Sequence, residues 1–123
     1  MNSNSGPILV IDDERDICEL VQLTLEDLGF EVLLAYSGEE GLNYIRSRGN
    51  QVQLILLDLA MPGLSGVDVL GSIKQEYPEV PVIIMSGYIT DKGEVAALGA
   101  TDVLQKPFLL SDIEELVKSV LGE

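Results

Sequence analysis

Residues 8–14 read Ile8-Leu9-Val10-Ile11-Asp12-Asp13-Glu14: four consecutive aliphatic residues that run straight into three carboxylates. The run does not alternate with polar residues, so it reads as a strand buried on both faces. Such a strand belongs in a parallel sheet covered by helices on either side. Comparable runs recur at Val32-Leu33-Leu34, Leu54-Ile55-Leu56-Leu57, Val82-Ile83-Ile84-Met85 and Val103-Leu104.

Helical spacing fills the intervals. Ile17, Leu20, Val21, Leu25 and Leu28 follow an i, i+3, i+4 rhythm that points them inward, and Gly29 ends the pattern. A second helix begins at Ser37 with Glu40 three residues on, a capping box, and turns Leu42 and Ile45 inward. A third runs from Gly66 through Val67, Leu70 and Ile73 to Tyr77-Pro78. The fourth, over residues 91–98, is short, weakly patterned and interrupted by Gly93. The last is capped by Ser111 with Glu114 and buries Ile113, Leu116, Val117, Val120 and Leu121. Five strands alternating with five helices predict an α/β fold, because each parallel connection needs a right-handed crossover.

A length of 123 residues suits one domain. Residues 1–6 read as a flexible lead-in and 7–123 as a single folded unit. Hydrophobic residues make up 46% of the chain and mean hydropathy is +0.27, enough apolar surface to offset the entropy of ordering. The 21 acidic and 7 basic residues give a net charge of −14 and a pI near 4.1, which repels nucleic-acid phosphates and anionic membrane surfaces. No signal-like segment opens the chain and its apolar runs are too short to span a bilayer, so a cytoplasmic location is expected. With no histidine, the usual zinc sites and catalytic triads are excluded. The single cysteine, Cys18, cannot form an internal disulfide and reads as a passive, partly buried residue beside Ile17. Chemistry must rest on carboxylates, hydroxyls and lysine.

In parallel α/β sheets ligands bind beyond the carboxyl ends of the strands. Those ends carry Asp12-Asp13-Glu14, Asp58, Ser86-Gly87 and Lys106-Pro107, whereas the second strand ends in the uninformative Ala35-Tyr36. Taken singly, each has a plain reading: a helix cap and acidic first turn, a turn-capping Asp, a Ser-Gly turn, a lone lysine. Together they deliver polar groups from four strand ends to one edge. Converging carboxylates repel one another unless a cation is present, and hard oxygen ligands with open positions suit Mg²⁺. Ser86 and Lys106 could then hold the other oxygens of a phosphoryl group, with Asp58 as an aspartyl nucleophile.

The segments Ile8 to Asp13, Leu56-Leu57-Asp58-Leu59-Ala60-Met61-Pro62-Gly63, Met85-Ser86-Gly87-Tyr88 and Gln105-Lys106-Pro107-Phe108 resemble the motifs of the receiver domain of bacterial two-component response regulators. The intervals of 45, 28 and 20 residues between Asp13, Asp58, Ser86 and Lys106 match as well, and the likeness covers residues 7–121. The resemblance implies a flavodoxin-like (βα)5 fold with strand order 2-1-3-4-5. It implies Mg²⁺-dependent transfer of a phosphoryl group to Asp58 from the phosphohistidine of a histidine kinase or a histidine phosphotransfer protein. Asp13, Asp58 and the Ala60 backbone carbonyl would ligate the Mg²⁺, for which Mn²⁺ could substitute, and Asp12 would act through a metal-bound water. Ser86 and Lys106 would contact the phosphoryl group, and the Lys106-Pro107 bond would be cis. Ala60 and Tyr88 would tune the lifetime of the phosphoryl group. Signalling would alter the surface of helix 4, strand 5 and helix 5, a face also suited to homodimerisation, with no direct contact to nucleic acid or membrane.

One position departs from the family pattern: Val103 stands where most receivers carry an aromatic residue three before the lysine, which puts the usual aromatic switch in doubt. Two other classes compete. A phosphohydrolase of the haloacid dehalogenase-like family needs a second Asp two residues after the nucleophile, where this chain has Ala60. A pseudo-receiver that only binds usually loses acidic or lysine positions that are intact here. No output domain follows Leu121, which fits a stand-alone receiver, a relay intermediate or a piece of a larger regulator. Most of the acidity then lies on solvated helix surfaces such as Glu14, Asp16, Glu19, Glu26 and Asp27.

Overall fold

The computed structural model describes residues 6–48, 51–61, 63, 65–87 and 92–122. Ten elements alternate along the chain: β1 (Ile8–Ile11), α1 (Arg15–Asp27), β2 (Val32–Ala35), α2 (Gly38–Arg48), β3 (Leu54–Asp58), α3 (Gly66–Glu76), β4 (Val82–Ser86), α4 (Lys92–Ala97), β5 (Asp102–Gln105) and α5 (Leu110–Leu121). All strand pairs are parallel, in the order β2-β1-β3-β4-β5. The chain therefore starts in the middle, winds outward to β2, and crosses back over β1 to reach β3. That reversal opens a crevice between the carboxyl ends of β1 and β3.

The unbroken apolar runs are explained by two cores. Alternate residues of the strands, including Leu9, Ile11, Ile55, Leu57 and Ile84, pack with Leu42 and Ile45 of α2 and with Val69, Leu70 and Ile73 of α3. The intervening residues Ile8, Val10, Leu54, Leu56 and Met85 pack with Cys18, Val21 and Leu25 of α1 and with Ile113 and Val117 of α5. Both faces of β1, β3 and β4 are buried. Each such aliphatic side chain contributes about 1.5–3 kcal/mol of transfer free energy.

Three helix expectations shift. In α1 the buried stripe is Cys18, Val21, Thr24 and Leu25, while Leu20 is 48% exposed. The small Cys18 is fully buried rather than partly so, and Thr24 joins the core because its hydroxyl donates to the Leu20 carbonyl (2.8 Å). In α3, Val67 is exposed and Val69 is buried in its place. In α5 the Ser111–Glu114 cap does not form. The helix starts at Leu110, and Asp112 reaches back to accept from the Leu109 N–H (3.0 Å), satisfying an end donor with a carboxylate where the helix dipole favours one. Ser37 caps α2 as expected, accepting from the Glu40 N–H (3.1 Å), and Glu40 accepts from the Tyr36 N–H (2.6 Å). Gly29 ends α1 with φ 97°, a left-handed conformation suited to glycine.

Candidate functional site

Strand geometry brings the polar ends together. Asp12 follows β1 and is fully buried; Asp58 and Ser86 are the last residues of β3 and β4 and are 3% exposed each. Lys106 follows β5, and its backbone N–H donates to the Ser86 carbonyl (2.7 Å), which ties the β5 end to the β4 end. The Lys106-Pro107 peptide is cis.

The loops orient the carboxylates. Asp12 Oδ1 accepts from the Glu14 N–H (2.9 Å), and the Asp12 carbonyl accepts from the Cys18 thiol (3.2 Å). Asp58 Oδ1 accepts from the Ala60 N–H (2.9 Å). That leaves Oδ2 of both aspartates facing Lys106. The Lys106 ammonium donates to Asp12 Oδ2 (2.7 Å), to Glu14 Oε1 (2.7 Å) and to Asp58 Oδ2 (3.3 Å). Burial pushes the Asp12 carboxyl up to about 6, with Asp58 adding repulsion and the bonds from Lys106 and the Glu14 N–H opposing the rise. Burial acts to lower the Lys106 ammonium, but its bonds to Asp12 and Glu14 prevail and hold it above the ordinary lysine range.

One oxygen from each of Asp12, Glu14 and Asp58 lies within 4.8 Å of the others. Three convergent hard oxygens fit a divalent cation that takes carboxylates and keeps waters. Asp13 is exposed and does not join this cluster among the described residues. Glu14 does join it, and is not simply a solvated helix charge: at the N-cap position of α1 it makes no side-chain cap bond, and its carboxylate meets Lys106 instead. The signal was present in the acidic triplet, but the usual capping role masked it. The end of β2 also contributes, since the Arg15 guanidinium lies 4.0 Å from the Tyr36 ring centroid and walls one side of the loop. Tyr88 lies outside the described residues. Val103 is half-buried, opposite Ile84, against the core shared with α2 and α3.

Cys18 is an inert anchor. Burial, followed by the nearby Asp12 charge, pushes its thiol up to about 12, far from the thiolate needed for reactivity.

Gly66 sets how closely α3 approaches the end of β3. A Cβ there would collide with the Leu59 backbone and sit 2.9 Å from the Asp58 carbonyl oxygen. Backbone cannot rotate aside as a side chain can, so Gly66→Ala is expected to cost about 1–3 kcal/mol in urea unfolding. The same substitution should displace the Asp58 amide resonance more than that of any strand-interior residue of β1.

A doubly wound parallel sheet with buried aspartates and a half-buried lysine at its carboxyl edge is the arrangement of a flavodoxin-like receiver domain. The response regulator receiver domain model matches residues 8–120, and the chain belongs to that family. The chain is 38% identical to an uncharacterized transcriptional regulatory protein, YkoG, of Bacillus subtilis over 94% of this chain and 49% of that protein. It is 34% identical to the alkaline phosphatase synthesis transcriptional regulatory protein PhoP of the same organism, over 93% of this chain and 48% of the relative. The chain thus spans about half the length of these curated relatives. Among solved structures, the receiver domain of NtrX from Brucella abortus matches with a TM-score of 0.86 and 34% identity over 94% of this chain and 98% of that one. A receiver domain protein from Clostridium thermocellum gives 0.87 and 34% over 95% and 94%.

Proposed function

We propose that Asp58 is the phosphoacceptor of a two-component relay, held for attack by the Ala60 N–H on one oxygen and by Lys106 near the other. The observation that carries this reading is the convergence of Asp12, Asp58 and Lys106 at one strand edge. Asp12, Asp58 and Glu14 or Asp13, with the Ala60 carbonyl, would hold Mg²⁺, with Mn²⁺ as a substitute. The ion would neutralise charge on the transferring phosphoryl oxygens. In the transfer, the N–P bond of a phosphohistidine breaks with its electron pair leaving on the imidazole, as an Asp58 Oδ–P bond forms. These 123 residues hold no histidine, so the donor lies outside them. Ser86 and Lys106 then contact the new phosphoryl oxygens, and water later hydrolyses the acyl phosphate. The domain acts on itself alone and turns over no external substrate.

A groove of about 460 Å³ runs from Lys106 past Pro107, Phe108 and Leu110 to Ile17 and Leu20. Its apolar walls beside the acceptor suit the histidine-bearing helix of a kinase or phosphotransfer protein, which explains why Leu20 faces outward. The output surface is assigned to α4, β5 and α5, where a hollow of about 390 Å³ is bordered by Leu104, Leu116 and Ser119. With Val103 in place of an aromatic, either the loop after β4 alone carries the coupling or the output face differs from the common one. Val103→Ala is accordingly expected to leave phosphorylation-dependent dimerisation unchanged in sedimentation.

Among the described residues no helix is long and apolar enough to cross a membrane. The reading places residues 7–123 as one receiver unit in the cytoplasm, and assigns any DNA contact to segments outside this chain, as the relatives' names as transcriptional regulators suggest. The test is incubation with Mg²⁺ and acetyl phosphate followed by intact mass measurement. One phosphate adduct mapping to Asp58 is expected. No adduct, or an adduct at another residue, overturns the proposal.

A further inference from the structure

We infer that Arg15, held on the Tyr36 ring, recognises the charge of the phosphodonor and favours dianionic donors at the carboxyl edge. The inference rests on the phosphoacceptor reading above and adds a substrate preference to it. A phosphoryl donor is an anion and this chain carries a net charge of −14, so its approach is opposed unless a cation stands near the entrance. Of the seven basic residues, Arg46, Arg48, Lys74 and Lys118 lie in the last turns of α2, α3 and α5, away from the carboxyl edge of the sheet. Lys106 is engaged by three carboxylates, and Lys92 begins α4 in the connection from β4 to β5. Arg15, the first residue of α1, supplies the positive charge on the β2 side of the site.

The sheet register fixes where that charge stands. Ile11 pairs with Ala35 of β2 and with Leu57 of β3, so Tyr36, Asp12 and Asp58 form the next row across the three strands. Adjacent strands lie about 4.8 Å apart, which puts the Tyr36 backbone about 10 Å from that of Asp58. Side chains alternate along a strand, and Val32, Leu34 and Tyr36 share the α1 and α5 face of the sheet with Val10 and Leu56, so Asp12 and Asp58 take the same face. The Arg15 guanidinium lies 4.0 Å from the Tyr36 ring centroid. The ring attracts the cation through its quadrupole and leaves N–H donors for an anion. Arg15 is exposed, and among the described residues no carboxylate comes within ion-pair distance of it. Its charge is thus placed beside the acceptor row without being spent on an ion pair.

The experiment follows phosphate incorporation by intact mass at saturating Mg²⁺, with two donors of different charge, for wild type, Arg15→Gln, Arg15→Lys and Lys118→Gln. Acetyl phosphate is a dianion; its acetyl O–P bond breaks, acetate leaves with the electron pair and the Asp58 Oδ–P bond forms. Phosphoramidate, protonated on nitrogen at neutral pH, carries one net negative charge; its N–P bond breaks, ammonia leaves and the same Oδ–P bond forms. Coulomb attraction across about 10 Å of water sets the size of the effect at roughly 20 mM ionic strength. Arg15→Gln should lower the second-order labelling rate about 2.5-fold with acetyl phosphate and about 1.5-fold with phosphoramidate. Both losses should fall below about 1.2-fold at about 1 M salt, where the screening length is about 3 Å, and the rate at saturating donor should not change. Arg15→Lys keeps the charge and should label like wild type, as should Lys118→Gln, which removes an exposed charge in the last turn of α5. An Arg15→Gln as fast as wild type at low salt, an equal loss with both donors, a loss that survives high salt, a slow Arg15→Lys, or a Lys118→Gln as slow as Arg15→Gln would overturn the inference while leaving Asp58 as acceptor. A wild type that takes phosphate from neither donor overturns both readings.

Discussion

Alanine at position 58 is expected to abolish the phosphate adduct completely while leaving the fold intact. Asp58 ends β3 with its side chain turned to the lysine, so Asp58→Ala removes the nucleophilic oxygens without changing the strand's register against β4. Lys106 keeps Asp12 and Glu14 at 2.7 Å, and the Ala60 N–H that loses its acceptor belongs to an exposed residue and can turn to water. One carboxylate fewer in the cluster also lowers mutual repulsion. The urea midpoint of the metal-free variant should therefore equal or exceed that of wild type, and its response to Mg²⁺ should weaken. Intact mass after acetyl phosphate treatment reads the first effect and urea denaturation with and without Mg²⁺ reads the second. An adduct that survives in Asp58→Ala would show that another group accepts the phosphate.

The second large effect is on stability. Lys106→Met keeps the apolar stem of the side chain but strips the only counter-charge that, among the described residues, bonds to two buried carboxylates, Asp12 and Asp58. Breaking a buried pair from one side costs about 3–5 kcal/mol, and the lower end is expected because Glu14 is largely in water. Mg²⁺ should return much of the loss, since a ligand at about 100 times its Kd stabilises the folded state by about 2.7 kcal/mol. The pH dependence follows from Asp12. Its carboxyl already sits at about 6 in the folded chain, above its ordinary value, so the folded state binds a proton more readily than the unfolded chain does. As pH falls through that value Asp12 becomes neutral and no longer needs a counter-charge. Lys106 holds that carboxyl down, so in Lys106→Met it titrates higher still, and the deficit should be larger at high pH and shrink toward pH 5. A metal-free variant as stable as wild type at pH 7.5 would remove Lys106 from the role assigned to it.

The sheet was readable because four of the five strands announce themselves twice, by an apolar run and by the polar residue that ends it. Asp12, Asp58, Ser86 and Lys106 could be located from this pattern alone, since parallel strands present their carboxyl ends to one edge. The helix faces were harder to read. Leu20 and Val67 fit the periodic template as well as true core residues do, and only the tertiary packing shows that the stripe of α1 is centred on Cys18 and Val21. The α5 cap moved because the helix already begins at Leu110, ahead of Ser111, with Asp112 accepting from the Leu109 N–H. Glu14 was hidden by a different effect: an acidic residue at a helix start has a sufficient local explanation, and its contact with Lys106 spans 92 positions that no local pattern encodes.

That span carries a consequence for how the molecule is made. The bond between Asp12 and Lys106 joins residues 94 apart, so the site is closed by the first and the last strands of the sheet. A ribosome delivers Asp12 and Asp58 long before Lys106. A nascent or truncated chain thus holds Asp58 but lacks the cation that frames it, and the site closes only once the last strand of the sheet has been made.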